Sequence, residues 1–189
     1  MDEKISNYVL KIDNFLSKEI CLNLIDNLNT KLFYRHHYNN NLTGQNTDNS
    51  INELDILKDN TISRVIDTKI PYALKRYDMK INVNYVKFSD RTKEYWTTPR
   101  FNRYSVGHRM DQHVDHIHTI FDGNRKGIPI LTLLGFLNDD YDGGDLYLCN
   151  QKINTKTGDI LIFPSNFLYP HRVEPVIMGI RYSWVSWVW

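Results

Sequence analysis

The sequence predicts an α+β, mainly β fold: a double-stranded β-helix, or jelly roll, with N-terminal helices packed on one sheet. Three observations carry this expectation. The first part of the chain places apolar residues at helical spacing. From Ile81 onward the pattern changes to short β-rich runs, and turn signals such as DGNRKG, NDDYDGG and TKTGD separate those runs. Short strands at such spacing point to an antiparallel sandwich or barrel rather than to alternating βαβ units. No internal repeat is visible, so the expected organisation is a single domain over 1–189, with 1–80 as a helical support region and 81–189 as the jelly-roll core.

Taken in order, residues 17–30 open with Ser17 as a helix cap and carry Ile20, Leu24 and Leu28 at four-residue spacing, with Cys21 and Ile25 beside them. The polar stretch 35–52 contains NNN, TG and TDNS and predicts loop, or strand edged by loop. A second helix is expected from about 61 to 76, with Pro71 kinking it or ending its first half. Seven segments then follow as candidate strands: INVNYVKF, RFNRYSVG, IPILTLLGFL, GDLYLCN, GDILIFP, YPHRVEPV and GIRYSWVSWVW. The aromatic residues of the last, Tyr182, Trp184, Trp187 and Trp189, read as core rather than as a base-stacking platform.

Composition narrows the function classes. The 189 residues hold 23 basic against 22 acidic side chains, which argues against a chain that lives on nucleic acid or on an anionic membrane. No run approaches the roughly 20 apolar residues of a membrane helix. The N-terminus is charged from residue two and reads as no signal peptide. Cys21 and Cys149 form neither a CxxC pair nor a zinc pattern, and read as free thiols of the cytoplasm. Asn is over-used, at 20 of 189 residues, which fits an AT-rich genome such as a phage's.

The chemistry concentrates in QHVDHIH and YPHRVEPV. On a strand, residues two apart share a face and lie about 6.5 Å apart along it, so His113 and Asp115 can converge on one ion. His171 is the best third ligand. Two histidines and a carboxylate on one face of an octahedron leave open positions, the arrangement of oxygen-activating iron(II). On the last strand Arg181 and Ser183 share a face, where a guanidinium fork and a hydroxyl can hold a carboxylate. Otherwise a buried Arg181 would need an internal acid or an exposed barrel-mouth position. His116 and His118 faintly resemble a cupin metal motif, but strand parity puts them opposite His113. His36 and His37 read as solvated, and His108 as a loop residue near the pocket mouth.

Three segments, FNRYSVGHRMDQHVD, LTLLGFLNDDYDGGDLYL and TGDILIFPSNFLYPHRVEPVIMGIRYSWVSW, together resemble the catalytic domain of the prolyl 4-hydroxylase branch of the iron(II)/2-oxoglutarate dioxygenases. The resemblance implies an oxidoreductase using Fe(II), 2-oxoglutarate and O2, with ascorbate as an accessory reductant. It maps His113, Asp115 and His171 onto the iron ligands and Arg181 onto the residue that pairs with the far carboxylate of 2-oxoglutarate. Tyr104 matches a tyrosine that hydrogen-bonds the cosubstrate, Thr132 sits on a strand lining the same pocket, and Trp187 matches an aromatic flanking it. Gly143 and Gly144 match the tight connection before Leu146. The chain departs from the pattern at Pro129, where relatives often have arginine, and at Phe136, where they often have tyrosine; Ser183 could replace the hydrogen bond that Phe136 removes.

The substrate this implies is a prolyl residue in a peptide or protein. The segment 88–100 carries Tyr95, Trp96 and Pro99, suited to gripping an extended proline-rich chain, and 116–129 flanks the other side of the site. The opposing reading makes Tyr95 and Trp96 pins that hold the loop to the core. Two alternatives stand beside the peptide hydroxylase: a hydroxylase of a small molecule such as a free amino acid, and a catalytically silent jelly-roll binding module.

Overall fold

The computed structural model describes residues 4–36, 39–40, 45–46, 53–82, 86–115 and 128–189. Three α-helices lie in the first part of the chain: α1 (Lys18–Asn29), α2 (Asn60–Asp67) and α3 (Ile70–Ile81). Ser17 caps α1 by accepting a hydrogen bond from the Ile20 amide at 3.3 Å. The second expected helix is two helices. Asp59 starts α2, its Oδ1 accepting from the Thr61 and Ile62 amides at 2.9 and 3.0 Å. The chain breaks at Thr68 and Lys69, and Pro71 falls in the first turn of α3, where its missing N–H would have had no helical partner.

The expected strand at 81–88 is not formed by its described residues. Ile81 ends α3, Asn82 stops it in the left-handed region at φ 47°, and Phe88–Asp90 is a 3-10 turn. Asp78 holds that turn against α3, accepting from the Phe88 and Ser89 amides at 2.8 Å each.

The strands of the N-terminal part are β1 (Leu10–Ile12), β2 (Tyr34–Arg35), β3 (Asn39–Asn40), β4 (Gln45–Asn46) and β5 (Asp55–Lys58). Those of the C-terminal part begin with β6 (Arg100–Tyr104), β7 (Met110–His113), β8 (Leu131–Phe136), β9 (Asp142–Gly143) and β10 (Leu146–Leu148). They end with β11 (Gln151–Ile153), β12 (Ile160–Pro164), β13 (His171–Val173), β14 (Val176–Met178) and β15 (Arg181–Val188). The large sheet runs β1-β12-β8-β15-β6-β5-β2 and the small one β11-β10-β13-β7, every pairing antiparallel.

Two cores lie on the two faces of the large sheet. One packs Leu24, Leu28, Ile66 and Leu74 of the helices against Leu133, Ile160, Ile162 and Trp184. The other fills the space between the sheets with Leu134, Phe136, Leu161, Phe163, Val185, Leu146 and Val173. Because β8 and β12 are covered on both faces, they read as near-continuous apolar runs instead of alternating ones. Cys21 is a free thiol in the helical core, its pKa pushed up to about 11 by burial. No helix among the described residues is long and apolar enough to cross a membrane.

Two glycines serve the sheets by lacking a side chain. Gly143 has φ 72°, and a Cβ there would collide with the Pro175 carbonyl where β9 meets β14. Gly135 faces Trp184 across β8 and β15, and a Cβ would drive into the indole ring. Gly135→Ala is therefore expected to lose about 1–3 kcal/mol through overpacking, read as a lower urea midpoint. Asp59→Ala is expected to lose about 1 kcal/mol with its cap. The Ile62 amide leads the groups that hold the Asp59 carboxyl below its usual pKa. The cap's contribution is thus present above the unfolded-state carboxyl pKa and lost as pH falls through the folded one.

Candidate metal centre

The small sheet brings the two candidate histidines together. β13 and β7 pair with His171 opposite His113, and their rings lie 4.2 Å apart between centroids. Asp115 is not on the strand as expected: β7 ends at His113, and Asp115 follows two residues beyond it. Its oxygens still reach both rings, with Oδ1 3.6 Å from His113 Nε2 and Oδ2 3.7 Å from His171 Nε2. One ligand atom from each of the three residues lies within 4.8 Å of the others.

Second contacts aim these groups. His113 Nδ1 lies 2.8 Å from the Asp111 carbonyl, and His171 Nδ1 lies 3.2 Å from the Tyr169 carbonyl. A carbonyl can only accept, so both Nδ1 atoms carry the proton and both Nε2 lone pairs face the carboxylate. Burial, aided by His113, lowers the pKa of His171 despite the opposing Asp115, which favours the neutral imidazole that a metal requires. Burial alone would raise the pKa of Asp115. The His171 and His113 rings, when protonated, and the Thr132 hydroxyl outweigh it and hold the carboxyl well below its ordinary range.

Thr132 lines the cleft from β8, as expected, and its hydroxyl also supports a candidate ligand. Its Oγ1 donates to Asp115 Oδ2 at 2.7 Å and lies 2.8 Å from Ser165 Oγ. With its one proton on Asp115, Thr132 must accept from Ser165. A buried two-hydroxyl chain thereby orients the carboxylate, and nothing in the sequence around Ser165 announces it.

Arg181 is only 1 % exposed at the start of β15, directly opposite Tyr104 of β6. Its guanidinium lies 4.8 Å from the Tyr104 ring and 5.6 Å from the Phe136 ring, and Nη1 donates to Ser183 Oγ at 3.2 Å. Nε and Nη2 are buried without a hydrogen-bond partner, and no carboxylate among the described residues lies within ion-pair distance. Neither the internal acid nor the water-exposed barrel mouth is found. An uncompensated buried cation is costly, so the arrangement fits an anionic group that arrives from outside.

A cleft joins these parts, lined by the three candidate ligands, Tyr104, Thr132, Arg181 and Trp187 and by apolar side chains including Leu134, Leu146 and Val185. Arg100 and Asn102 also line it. They were missed, though they share the strand face of Tyr104 at spacings of four and two. Three residues lie elsewhere. Trp96, expected to touch substrate, is 4 % exposed in the helical core with Nε1 donating to Asp67 Oδ1 at 3.3 Å, so it pins the loop. Tyr95 is exposed outside the cleft, beside Arg91. His108 is buried and accepts from Arg35 Nη1 at 3.0 Å rather than facing the pocket mouth. His36 is not solvated but sits 2.9 Å from Glu53 Oε2. His37, His116 and His118 fall outside the described residues.

With the geometry established, comparison with known proteins becomes informative. The family described as the 2OG-Fe(II) oxygenase superfamily matches residues 99–189. A PKHD-type hydroxylase of Xylella fastidiosa (strain M12) is 33 % identical over 108 residues, covering 48 % of this chain and 43 % of the relative. One from Aliarcobacter butzleri is 32 % identical over 117 residues, covering 58 % and 50 %. The chain thus spans about half the length of the curated relatives it matches. Among solved structures, the viral collagen prolyl hydroxylase of Paramecium Bursaria Chlorella virus-1, in its 2OG complex, superposes with a TM-score of 0.66 at 19 % identity, over 96 % of this chain and 94 % of that one. A Trichoplax adhaerens prolyl hydroxylase, in complex with a hypoxia inducible factor peptide fragment, gives 0.68 at 21 % identity over 97 % and 84 %. At these identities the likeness is one of fold, and the fold is the jelly roll.

Replacing Thr132 by Val, which keeps the shape and deletes the hydroxyl, is expected to weaken divalent-metal binding by about 10–100-fold, measured by anaerobic calorimetry. Thr132→Ser should restore most of it, and Asp115→Ala should abolish it. Equal affinity in Thr132→Val and the parent would remove Thr132 from the support of the site.

Proposed function

Because residues 99–189 match the family described as the 2OG-Fe(II) oxygenase superfamily, we propose that the chain is an iron(II)- and 2-oxoglutarate-dependent dioxygenase. It hydroxylates an organic substrate, a prolyl residue in a peptide or protein, and releases succinate and CO2. The observation that carries this reading is the buried, acid-free guanidinium of Arg181 on the wall of the cleft that also holds His113, Asp115 and His171. A binding module without chemistry would gain nothing from burying that cation beside three convergent metal donors.

The residues divide the work. His113, Asp115 and His171 hold iron through two Nε2 atoms and a carboxylate oxygen, a donor set that suits iron(II) and leaves coordination sites for cosubstrate and oxygen. Arg181 and Ser183 take the far carboxylate of 2-oxoglutarate, and Tyr104 closes over it from β6. Phe136 contributes only a ring face where relatives offer a hydroxyl, so the hydrogen bonding falls to Ser183 and its neighbour Asn102, whose Nδ2 is 3.5 Å from Ser183 Oγ. Leu134, Leu146 and Val185 keep water from the guanidinium and so strengthen its hold. Iron and cosubstrate, once bound, supply the oxygen activation, with ascorbate as the expected reductant.

Support for a peptidyl substrate comes from the kinship with prolyl hydroxylases, one of which was solved with a peptide. The aromatic grip expected at Trp96 no longer contributes to it. Anaerobic reconstitution with iron(II) and 2-oxoglutarate should give the visible metal-to-ligand charge-transfer band of a chelated 2-oxo acid, and turnover should yield succinate. Arg181→Ala should keep iron while 2-oxoglutarate affinity falls by tens-fold or more, the loss of roughly 2–5 kcal/mol that follows removal of one partner of a buried charge pair. Unchanged affinity would move the anchor to another basic residue, and absence of both band and succinate in the parent would overturn the assignment.

A further inference from the structure

The cleft carries an oxidisable side chain to which the proposed reaction gives no role. Met110 opens β7, the strand that ends at the candidate ligand His113, and it pairs with Val173 as His113 pairs with His171. The step from Met110 to His113 is three residues on β7, against two from Val173 to His171 on β13. β7 therefore holds one extra residue, a bulge. In a regular strand, residues three apart face opposite sides of the sheet; here Met110 and His113 line the same cleft. Met110 and Val173 form the cross-strand pair next to the two candidate histidine ligands.

Met110 is 6 % exposed, in the core between the sheets that also holds Tyr104, Leu146 and Val173. Among the described residues that line the cleft it is the one methionine, and Tyr104 and Trp187 are the oxidisable rings beside it. A thioether takes up an oxygen atom directly on sulfur, whereas a ring or an aliphatic chain must give up aromaticity or a C–H bond. Elsewhere in the chain, Met79 is 70 % and Met178 61 % exposed, and neither lines the cleft. A dissolved oxidant attacks methionines in order of exposure, so it would strike Met79 and Met178 before Met110. Oxygen transfer within the cleft would reverse that order.

We propose that Met110 is a site of self-oxidation: when 2-oxoglutarate and O2 react with no substrate in the cleft, the oxygen atom that a substrate carbon would receive goes to the Met110 thioether. This rests on the dioxygenase reading above. The bond between the carboxylate and the keto carbon of 2-oxoglutarate breaks and releases CO2. One atom of O2 enters the new carboxylate of succinate, and the other forms the S–O bond. Two electrons come from 2-oxoglutarate and two from sulfur, which together reduce one O2, so no further reductant is needed. The sulfoxide sets a polar S–O group into an apolar wall beside His113, and turnover without substrate thereby shuts itself down. Unlike a hydroxylated ring, a sulfoxide can be reduced back to the thioether by methionine sulfoxide reductases, so the block is reversible.

The test loads the whole chain anaerobically with iron(II) and 2-oxoglutarate and then admits isotopically heavy O2, with catalase present and no substrate. Succinate is followed, and the digested protein is mapped by mass. Met110 should gain one heavy oxygen while Met79 and Met178 stay unlabelled, and hydrogen peroxide added to the metal-free chain should give the opposite order. Asp115→Ala should leave Met110 unlabelled. After reloading with fresh iron(II) and 2-oxoglutarate, the parent should have lost succinate formation in proportion to the Met110 oxidised. Met110→Leu, which conserves volume, should form the charge-transfer band and keep its succinate formation through the same exposure. An unlabelled Met110 in a parent that makes succinate, label on Met79 or Met178 ahead of Met110, oxygen on Tyr104 or Trp187 in its place, or equal loss of activity in Met110→Leu would overturn the inference. Absence of both band and succinate in the parent would overturn the dioxygenase reading, and this inference with it.

Discussion

The two-residue period of β15 is the constraint on which the rest of the structure depends. Tyr182, Trp184 and Val188 go to the helical core, while Arg181, Ser183, Val185 and Trp187 turn to the cleft or the core beside it. Since β15 lies between β8 and β6, its register sets which residues of both neighbours meet the cleft. Tyr104 falls beside Arg181, Asn102 beside Ser183, and Thr132 beside Trp187. A one-residue slip would exchange the two sets and place a guanidinium in the helical core. Trp184 against Gly135 resists that slip, because the indole fits only where the opposing strand has no side chain.

Electrostatics explains why such a strand needs a helical layer behind it. Burying Arg181 without an acid is unfavourable, and the apolar contacts on both faces of the sheet must offset it. The helices supply one of those faces, through residues such as Leu28, Ile66 and Leu74 that touch nothing in the cleft. The region before residues 99–189 is in this sense part of the site's energetics. It stabilises a sheet that holds an otherwise poorly tolerated charge.

How much of this was legible depended on the range of the interaction. The caps Ser17 and Asp59 act within three residues; Ser17 is legible directly, and the expected start of the next helix, at about 61, is one residue from the observed Asn60. Parity on one strand was equally readable, which is why Arg181 and Ser183 were correctly paired. The convergence of His113 and Asp115 holds, although Asp115 reaches the histidines from beyond the end of β7 and not by strand parity. The split of α2 from α3 was only half visible because Pro71 opens the second helix instead of breaking a longer one. The edge strand β1 and the inner strand β5 carry no local signal, as their partners β12 and β6 lie far along the chain. Trp96 and His108 carried no local sign that Asp67 and Arg35 would claim them. Ser165 was hidden for the same reason.

The cleft is built with an asymmetry that bears on selectivity. At one end a cation sits in an apolar shell with two orphaned donors, a setting that binds one compact anion strongly and tolerates little else. At the other, Arg100 lies half-buried on an indole face, where water screens its charge. Between them the three candidate metal donors are held by backbone carbonyls and by the Ser165–Thr132 hydroxyls, groups fixed by the sheets themselves. In the proposed reaction the strong, enclosed end suits the far carboxylate of 2-oxoglutarate. The difference follows from burial alone, since both ends use the same functional group on adjacent strands of one sheet.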